Sequence, residues 1–226
     1  MWRRQLTGVP RTQDWWAGVL FMIGSAFFAL GSFQPYAIAV GNGPDAITFA
    51  IGSIFFTTAA TVQMVQQVGL RAASPAHHFG AAWWASAVQL FGTAMFNIST
   101  FAATVNGLTV PQQNHAVWVP DMYGSVCFLI ASYLSWLVVC GPRWVWRPSD
   151  DQWWIAVANF FGSIVFMMSA LASVIVPATG QVLSPLLANL GTFLGALGFL
   201  LGGYLLLPST DKVMPGHRTG RARHSG

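Results

Sequence analysis

Six apolar runs, each ~20 residues or longer, follow one another along the chain at roughly 15–36, 46–67, 82–105, 122–141, 153–176 and 186–207. Breaks containing proline and glycine separate them: Gly41-Asn42-Gly43-Pro44, Ser74-Pro75, Pro111, Gly141-Pro142, and Pro177 through Pro185. A run of this length crosses ~30 Å of hydrocarbon as a helix. Only helices and closed barrels satisfy the backbone in lipid, and these runs are too long and continuous for barrel strands. The pattern predicts an all-α membrane protein with six transmembrane helices.

The runs are not independent of one another. Trp15-Trp16, Trp83-Trp84 and Trp153-Trp154 open the first, third and fifth, and Gly24, Gly92 and Gly162 each lie nine residues after the first tryptophan. The recurrence at 68 and then 70 residues marks an internal repeat. Gly24-Ser25, Gly92-Thr93 and Gly162-Ser163 have counterparts in the even-numbered runs at Gly52-Ser53, Gly124-Ser125 and, less closely, Gly191-Thr192. Four residues on, five of the six carry phenylalanine, at Phe28, Phe56, Phe96, Phe128 and Phe166, and the sixth has Gly195 in that place. Seven residues on, all six have a small residue: Gly31, Ala59, Ser99, Ala131, Ser169 and Gly198.

A step of seven keeps two residues on one helix face, and small residues there let helix backbones approach closely in lipid. Gly24, Gly52, Gly92, Gly124, Gly162, Gly191, Gly195, Gly198 and Gly202 are therefore candidate helix-packing positions, the last four forming one groove. The repeating unit is a two-span hairpin, so its three copies run parallel, related by an axis along the membrane normal. They occupy residues 14–69, 70–141 and 142–207, between a basic N-terminus at 1–13 and a basic, disordered tail at 208–226. Either a closed pseudo-threefold bundle or a row of hairpins satisfies the pattern.

The G-[S/T]-x-x-F hairpin pattern, at Gly24-Ser25…Phe28 with Gly52-Ser53…Phe56 and at Gly92-Thr93…Phe96 with Gly124-Ser125…Phe128, resembles the YrhK-type membrane domain. Gly162-Ser163…Phe166 adds half of a third copy. The resemblance implies a bacterial inner-membrane protein and transfers no catalytic residue.

Charge sets the orientation. All ten Lys and Arg residues fall before run 1, between runs 2 and 3, between runs 4 and 5, or after run 6. By the positive-inside rule both termini are cytoplasmic (N-in/C-in), and the tryptophan pairs become anchors at the cytoplasmic interface. The N-terminal run, with Arg3 and Arg4 before it and Ala37-Ile38-Ala39 after it, has the outline of a signal peptide. It is longer than the usual h-region and is one copy of the repeat, so it is expected to be retained.

Composition narrows the chemistry. Only 7% of residues are charged against 54% hydrophobic. No nucleic-acid-binding pattern accompanies the net charge of +4. Membrane lipid is the expected partner, with a second copy or another membrane protein as a further one. Cys127 and Cys140 lie ~20 Å apart along one helix and do not pair. Asp14, Asp45, Asp121, Asp150 and Asp151 all fall at starts of runs, where a carboxylate caps free N–H groups. His77-His78 and His115 lack a third ligand at metal spacing, and no metal or cofactor is expected.

What remains is amides. Gln63 and Gln66 (with Gln67), Gln89, Asn97 and Asn159 would line a polar cavity on the cytoplasmic side or bond between helices. No nucleophile–base pair, phosphate loop or paired acid can be assembled from the sequence. The expectation is a multi-pass membrane protein without enzymatic activity, a structural or partner-binding bundle. The alternative is a small-molecule or ion transporter or channel with an amide-lined cavity.

Overall fold

The structure, a computed structural model, describes residues 12–73, 80–143 and 145–208. The basic N-terminus, the tail, His77, His78, His217 and His224 lie outside the described residues, apart from the few positions at their edges. The described chain is mostly helical, with short links and one hairpin of two-residue strands. Its elements are α1 (Gln13–Ser32), α2 (Gln34–Val40), α3 (Asn42–Ala73), α4 (Ala81–Ala103), α5 (Val110–Gln113), a π-turn (Asn114–Trp118), α6 (Val119–Cys140), α7 (Asp151–Ala172), β1 (Ile175–Val176), β2 (Gln181–Val182) and α8 (Pro185–Leu206).

Five helices are long and apolar enough to cross a membrane: α1, α3, the continuous helix Val110–Cys140, α7 and α8. The 23-residue α4 is long enough but more polar, because it carries Gln89, Thr93, Asn97, Ser99 and Thr100. Its outward stripe is nonetheless apolar, with Trp84, Phe91 and Ile98 exposed at steps of seven. Ile54, Ile130, Phe161 and Leu194 continue an exposed apolar surface around the outside of the other helices. A surface of this kind suits lipid rather than water.

Proline and glycine set several boundaries. The first run ends as a helix at Ser32, and Phe33 is extended before Pro35 begins α2, since proline removes an N–H and clashes with the preceding turn. Gly141, with φ of +66°, closes α6 through its N–H to Leu137 O. Pro111 does not act as a break. It lies in the first turn of α5, where Thr109 and Gln112 form a capping box. Pro120 sits inside the long helix, just after the π-turn that absorbs its missing donor.

The six long helices close into a ring in the order α1, α3, α4, α6, α7, α8, with α8 packed back against α1. Within each hairpin the contact is a pair of glycines facing each other. A Cβ added to Gly24 would lie 3.0 Å from Gly52 O and 2.8 Å from the Phe56 ring, and one on Gly52 would lie 2.7 Å from the Phe28 ring. Gly92 and Gly124 make the same contact with Phe128 and Phe96, and Gly162 and Gly195 with Phe199 and Phe166. The ring is closed by Gly18 and Gly203, each standing against the other's carbonyl.

This pairing corrects the register of the last helix. Its counterpart of Gly24 is Gly195, not Gly191, because Gly195 meets Gly162 and is followed four residues later by the buried Phe199. Ala196 then takes the place of Ser25, Ser53, Thr93, Ser125 and Ser163, and all six positions are fully buried. Gly191 faces Ser169 one turn away, Gly198 lies against the Gly162 backbone, and Gly202 lies under the Asn159 amide.

The glycine contacts bring six phenylalanines together at mid-length. Phe28, Phe96 and Phe166 of α1, α4 and α7 form one triangle, with centroids 5.5 to 6.4 Å apart. Phe56, Phe128 and Phe199 of α3, α6 and α8 form a second, at 5.4 to 6.2 Å. Hairpin partners join the triangles at 5.3, 5.1 and 5.9 Å. Edge-to-face and tilted pairs predominate, the geometry that aromatic quadrupoles favour.

Overpacking such a contact typically costs about 1–3 kcal/mol. Gly195→Leu is therefore expected to lower the thermal midpoint in detergent, while Gly69→Leu, with nothing within 4 Å of its Cβ position, leaves it unchanged. Equal midpoints would show that the glycine face is not a contact face.

Candidate functional site

The aromatic layer separates two cavities, each lined by residues from all six ring helices. One opens toward the end where α1 begins and α8 finishes, hereafter the terminal end, and has a volume of about 220 Å³. The other lies toward the hairpin links, hereafter the far end, and has a volume of about 510 Å³. Phe128 and Phe199 face the first cavity, and Phe28 and Phe166 the second.

Six amides line the terminal-end cavity: Gln63, Gln66, Gln67, Gln89, Gln152 and Asn159. Helix geometry brings them there. Gln63, Gln66 and Gln67 recur at i, i+3 and i+4 on the inward face of α3, and Gln152 and Asn159 lie seven apart on α7. Gln66 Nε2 also donates to Asp14 Oδ1 at 3.0 Å. The main-chain carbonyl of Asn159 accepts from the Ser132 hydroxyl at 3.3 Å. Amides and hydroxyls present both donors and acceptors without a fixed charge, so this wall suits a small polar, uncharged group. Gln152 was hidden in the sequence beside the capping acids Asp150 and Asp151. The seven-residue step to Asn159 was the available signal.

Asn97 is not in this cavity. It lies between α3 and α4, where Ser53 Oγ donates to Asn97 Oδ1 at 2.6 Å and Asn97 Nδ2 donates to Thr57 Oγ1 at 2.5 Å. A polar cavity running from Gln89 to Asn97 is thus replaced by an interhelical clasp. The reason is rotational: Asn97 follows Phe96 by one residue, and with Phe96 turned to the core its neighbour points about 100° away.

Hydroxyls join the hairpins by a related rule. Ser53, one residue after its glycine, bonds Thr100, eight residues after Gly92, at 2.8 Å. Ser132, eight after Gly124, bonds Ser163, one after Gly162, at 2.7 Å. The positions that would complete the pattern for Ser125 and Ser25 hold Ala170 and Gly203, which have no hydroxyl. Ser25 Oγ and Ser125 Oγ are buried without a hydrogen-bond partner among the described residues.

The acids divide. Asp150 caps α7, accepting from Gln152 N at 2.9 Å. The cap of α1 is Thr12, which accepts from Trp15 N, while Asp14 takes the Gln66 bond. Asp45 stands in the first turn of α3. Asp121 stands in the first turn of α6, but the helix does not begin there: Val119 N donates to Asn114 O, and the helix runs back through the π-turn to Val110, about three turns before Asp121. It lines the far-end cavity with Asn42, Asn106, Gln113, Asn114 and Trp118. Asn114 also ties the β-hairpin down, receiving Ile175 N–H at 3.0 Å and donating to Ile175 O at 2.7 Å.

The tryptophans split in the same manner. Trp15 and Trp153 are buried in the bundle, while Trp16 and Trp84 face outward. Trp83 and Trp154 are half-buried, and in all three pairs the two rings pack edge to face with centroids 4.8 to 4.9 Å apart. Among the described residues no group of three His, Cys, Asp or Glu is placed to hold a metal. No protein-family model, curated protein or solved structure matches the chain.

Interhelical hydroxyl bonds in lipid contribute ~0.6–2 kcal/mol. Ser163→Ala removes the bond to Ser132 and another to Phe128 O and is expected to destabilise by about 1 kcal/mol. Ser125→Ala removes none and should be neutral or slightly stabilising, as read by thermal unfolding in one detergent.

Proposed function

We propose that this chain is a non-enzymatic, multi-pass membrane protein that binds a small ligand in a bundle sealed at mid-depth. In this reading α4 is the sixth span, supported by its outward apolar stripe and its place in the ring between α3 and α6. The three hairpins are copies of one unit, supported by the repeated glycine–phenylalanine contact, with both termini cytoplasmic by the positive-inside rule. The terminal-end cavity is then the cytoplasmic one. The YrhK-like resemblance is part of the same proposal, and Gly195-Ala196…Phe199 supplies the missing half of its third copy with alanine in place of serine.

The observation that carries this reading is the six-ring layer between two polar cavities on a common axis. A pore needs a continuous polar path, and two stacked triangles of buried rings interrupt it.

One observation supports a transport reading beside it. The cavities face each other across a single aromatic layer, so rotation of the rings would join them.

Liposomes separate these outcomes. Vesicles carrying the wild-type protein are expected to hold a potassium gradient as well as empty vesicles do, and Phe128→Ala with Phe199→Ala to make them leak. A wild-type leak overturns the seal. Flux of a small neutral solute through the wild type, abolished by Gln89→Leu with Asn159→Leu, replaces binding with transport.

A further inference from the structure

We propose that the far-end cavity is a binding site for a small organic cation, an ammonium carrying short alkyl groups, held by Asp121 above the rings of Phe28 and Phe166. The proposal deepens the reading of two sealed cavities by naming the ligand class of one of them.

Among the described residues Asp121 is the one ionisable side chain lining this cavity, and no lysine, arginine or histidine lines it with Asp121. It stands seven residues from Phe128, ~10 Å along the helix from the aromatic layer, and the hydrocarbon half-thickness is ~15 Å. A carboxylate at that depth without a counter-charge is costly, and one facing a cavity is compensated when a cation enters. A capping role does not account for it, because the helix runs on behind Asp121 through the π-turn to Val110 rather than beginning beside it. A π-turn directly before a cavity-lining acid is a distortion that recurs at functional sites.

The rest of the wall suits a cation with an apolar surface. Phe28 and Phe166 form the floor, and Trp118 stands three residues before Asp121 on the same face of the helix, its indole N–H fixed on Ala170 O at 2.8 Å. Alkylammonium groups are recognised by the faces of aromatic rings together with a carboxylate. Several wall amides and hydroxyls are already engaged: Gln113 donates to Leu108 O, Thr100 to Phe96 O, and Asn114 to the β-hairpin. They supply a neutral polar surround and no competing charge. A divalent metal ion fits poorly, since it draws on several oxygen ligands and more than one carboxylate. A volume of about 510 Å³ lies in the range of small-molecule pockets.

The test is calorimetric titration of the purified full chain in nanodiscs with tetraethylammonium chloride, at ionic strength matched with sodium chloride. Saturable binding to the wild type is expected, at least tenfold weaker in Asp121→Asn and unchanged in Asp45→Asn. A wild type with no saturable binding, or an Asp121→Asn variant that binds equally well, overturns the proposal. A second arm needs no variant: triethylcarbinol, uncharged and of similar size, is expected not to displace tetraethylammonium, and equal competition would overturn the role of charge. Tight liposomes without tetraethylammonium binding would sink this proposal alone, and leaky wild-type liposomes with binding intact would sink only the seal.

Discussion

Backbone contact between helices at paired glycines is the constraint from which the rest of this structure follows. Gly24 with Gly52, Gly92 with Gly124, and Gly162 with Gly195 remove the side chains that would hold two helices apart. At that spacing the phenylalanine four residues on from each glycine lies over the partner's glycine and continues to the bundle axis. Six such rings fill the centre, where a ring of six helices would otherwise leave a channel. Van der Waals packing is what associates helices in lipid, so the same contact supplies both cohesion and the barrier. The Gly18–Gly203 contact extends the principle to the seam between the first and last helices.

Most polar groups in the bundle are paired. Hydroxyls bond their own helix carbonyls, as Thr104 does with Phe101 O, or one another across hairpins, as Ser132 does with Ser163, and Ser25 and Ser125 are exceptions. Both cavities carry amides, six at the terminal end and four at the far end, but among the described residues only the far-end cavity also carries a carboxylate, so the two differ in chemistry. The three hairpins share the glycine–phenylalanine frame. They differ at Gln63, Gln89, Asp121 and Asn159, which lie off that frame and line the cavities.

The frame was legible in the sequence because it depends on local spacing. Tryptophan, glycine and phenylalanine recur at offsets that a helix converts into faces, and apolar length gave the helices to within a turn or two at most ends. The far-end cavity was not legible, for an identifiable reason. Pro111 read as a break between runs, whereas it lies in the first turn of a helix that runs on through a π-turn, so Asp121 looked terminal. Asn97 looked like a cavity residue because its polarity is visible in sequence and its direction is not. The sixth helix was placed one turn out because Gly191, Gly195 and Gly198 all fit a small-residue stripe, and only the contact with Gly162 selects among them.

A closed ring of helices around the aromatic layer requires α1 and α8 to be neighbours, which a row of three hairpins does not allow. Phe33 and Phe193 meet across that seam with ring centroids 6.4 Å apart, at positions that do not line either cavity. The most direct measurement is crosslinking of Phe33→Cys with Phe193→Cys by a short thiol-specific bifunctional reagent, with Cys127 and Cys140 replaced by alanine. The closed ring predicts an efficient crosslink within one chain, leaving the protein monomeric on a denaturing gel. Absence of that crosslink, or crosslinks only between chains, would contradict it.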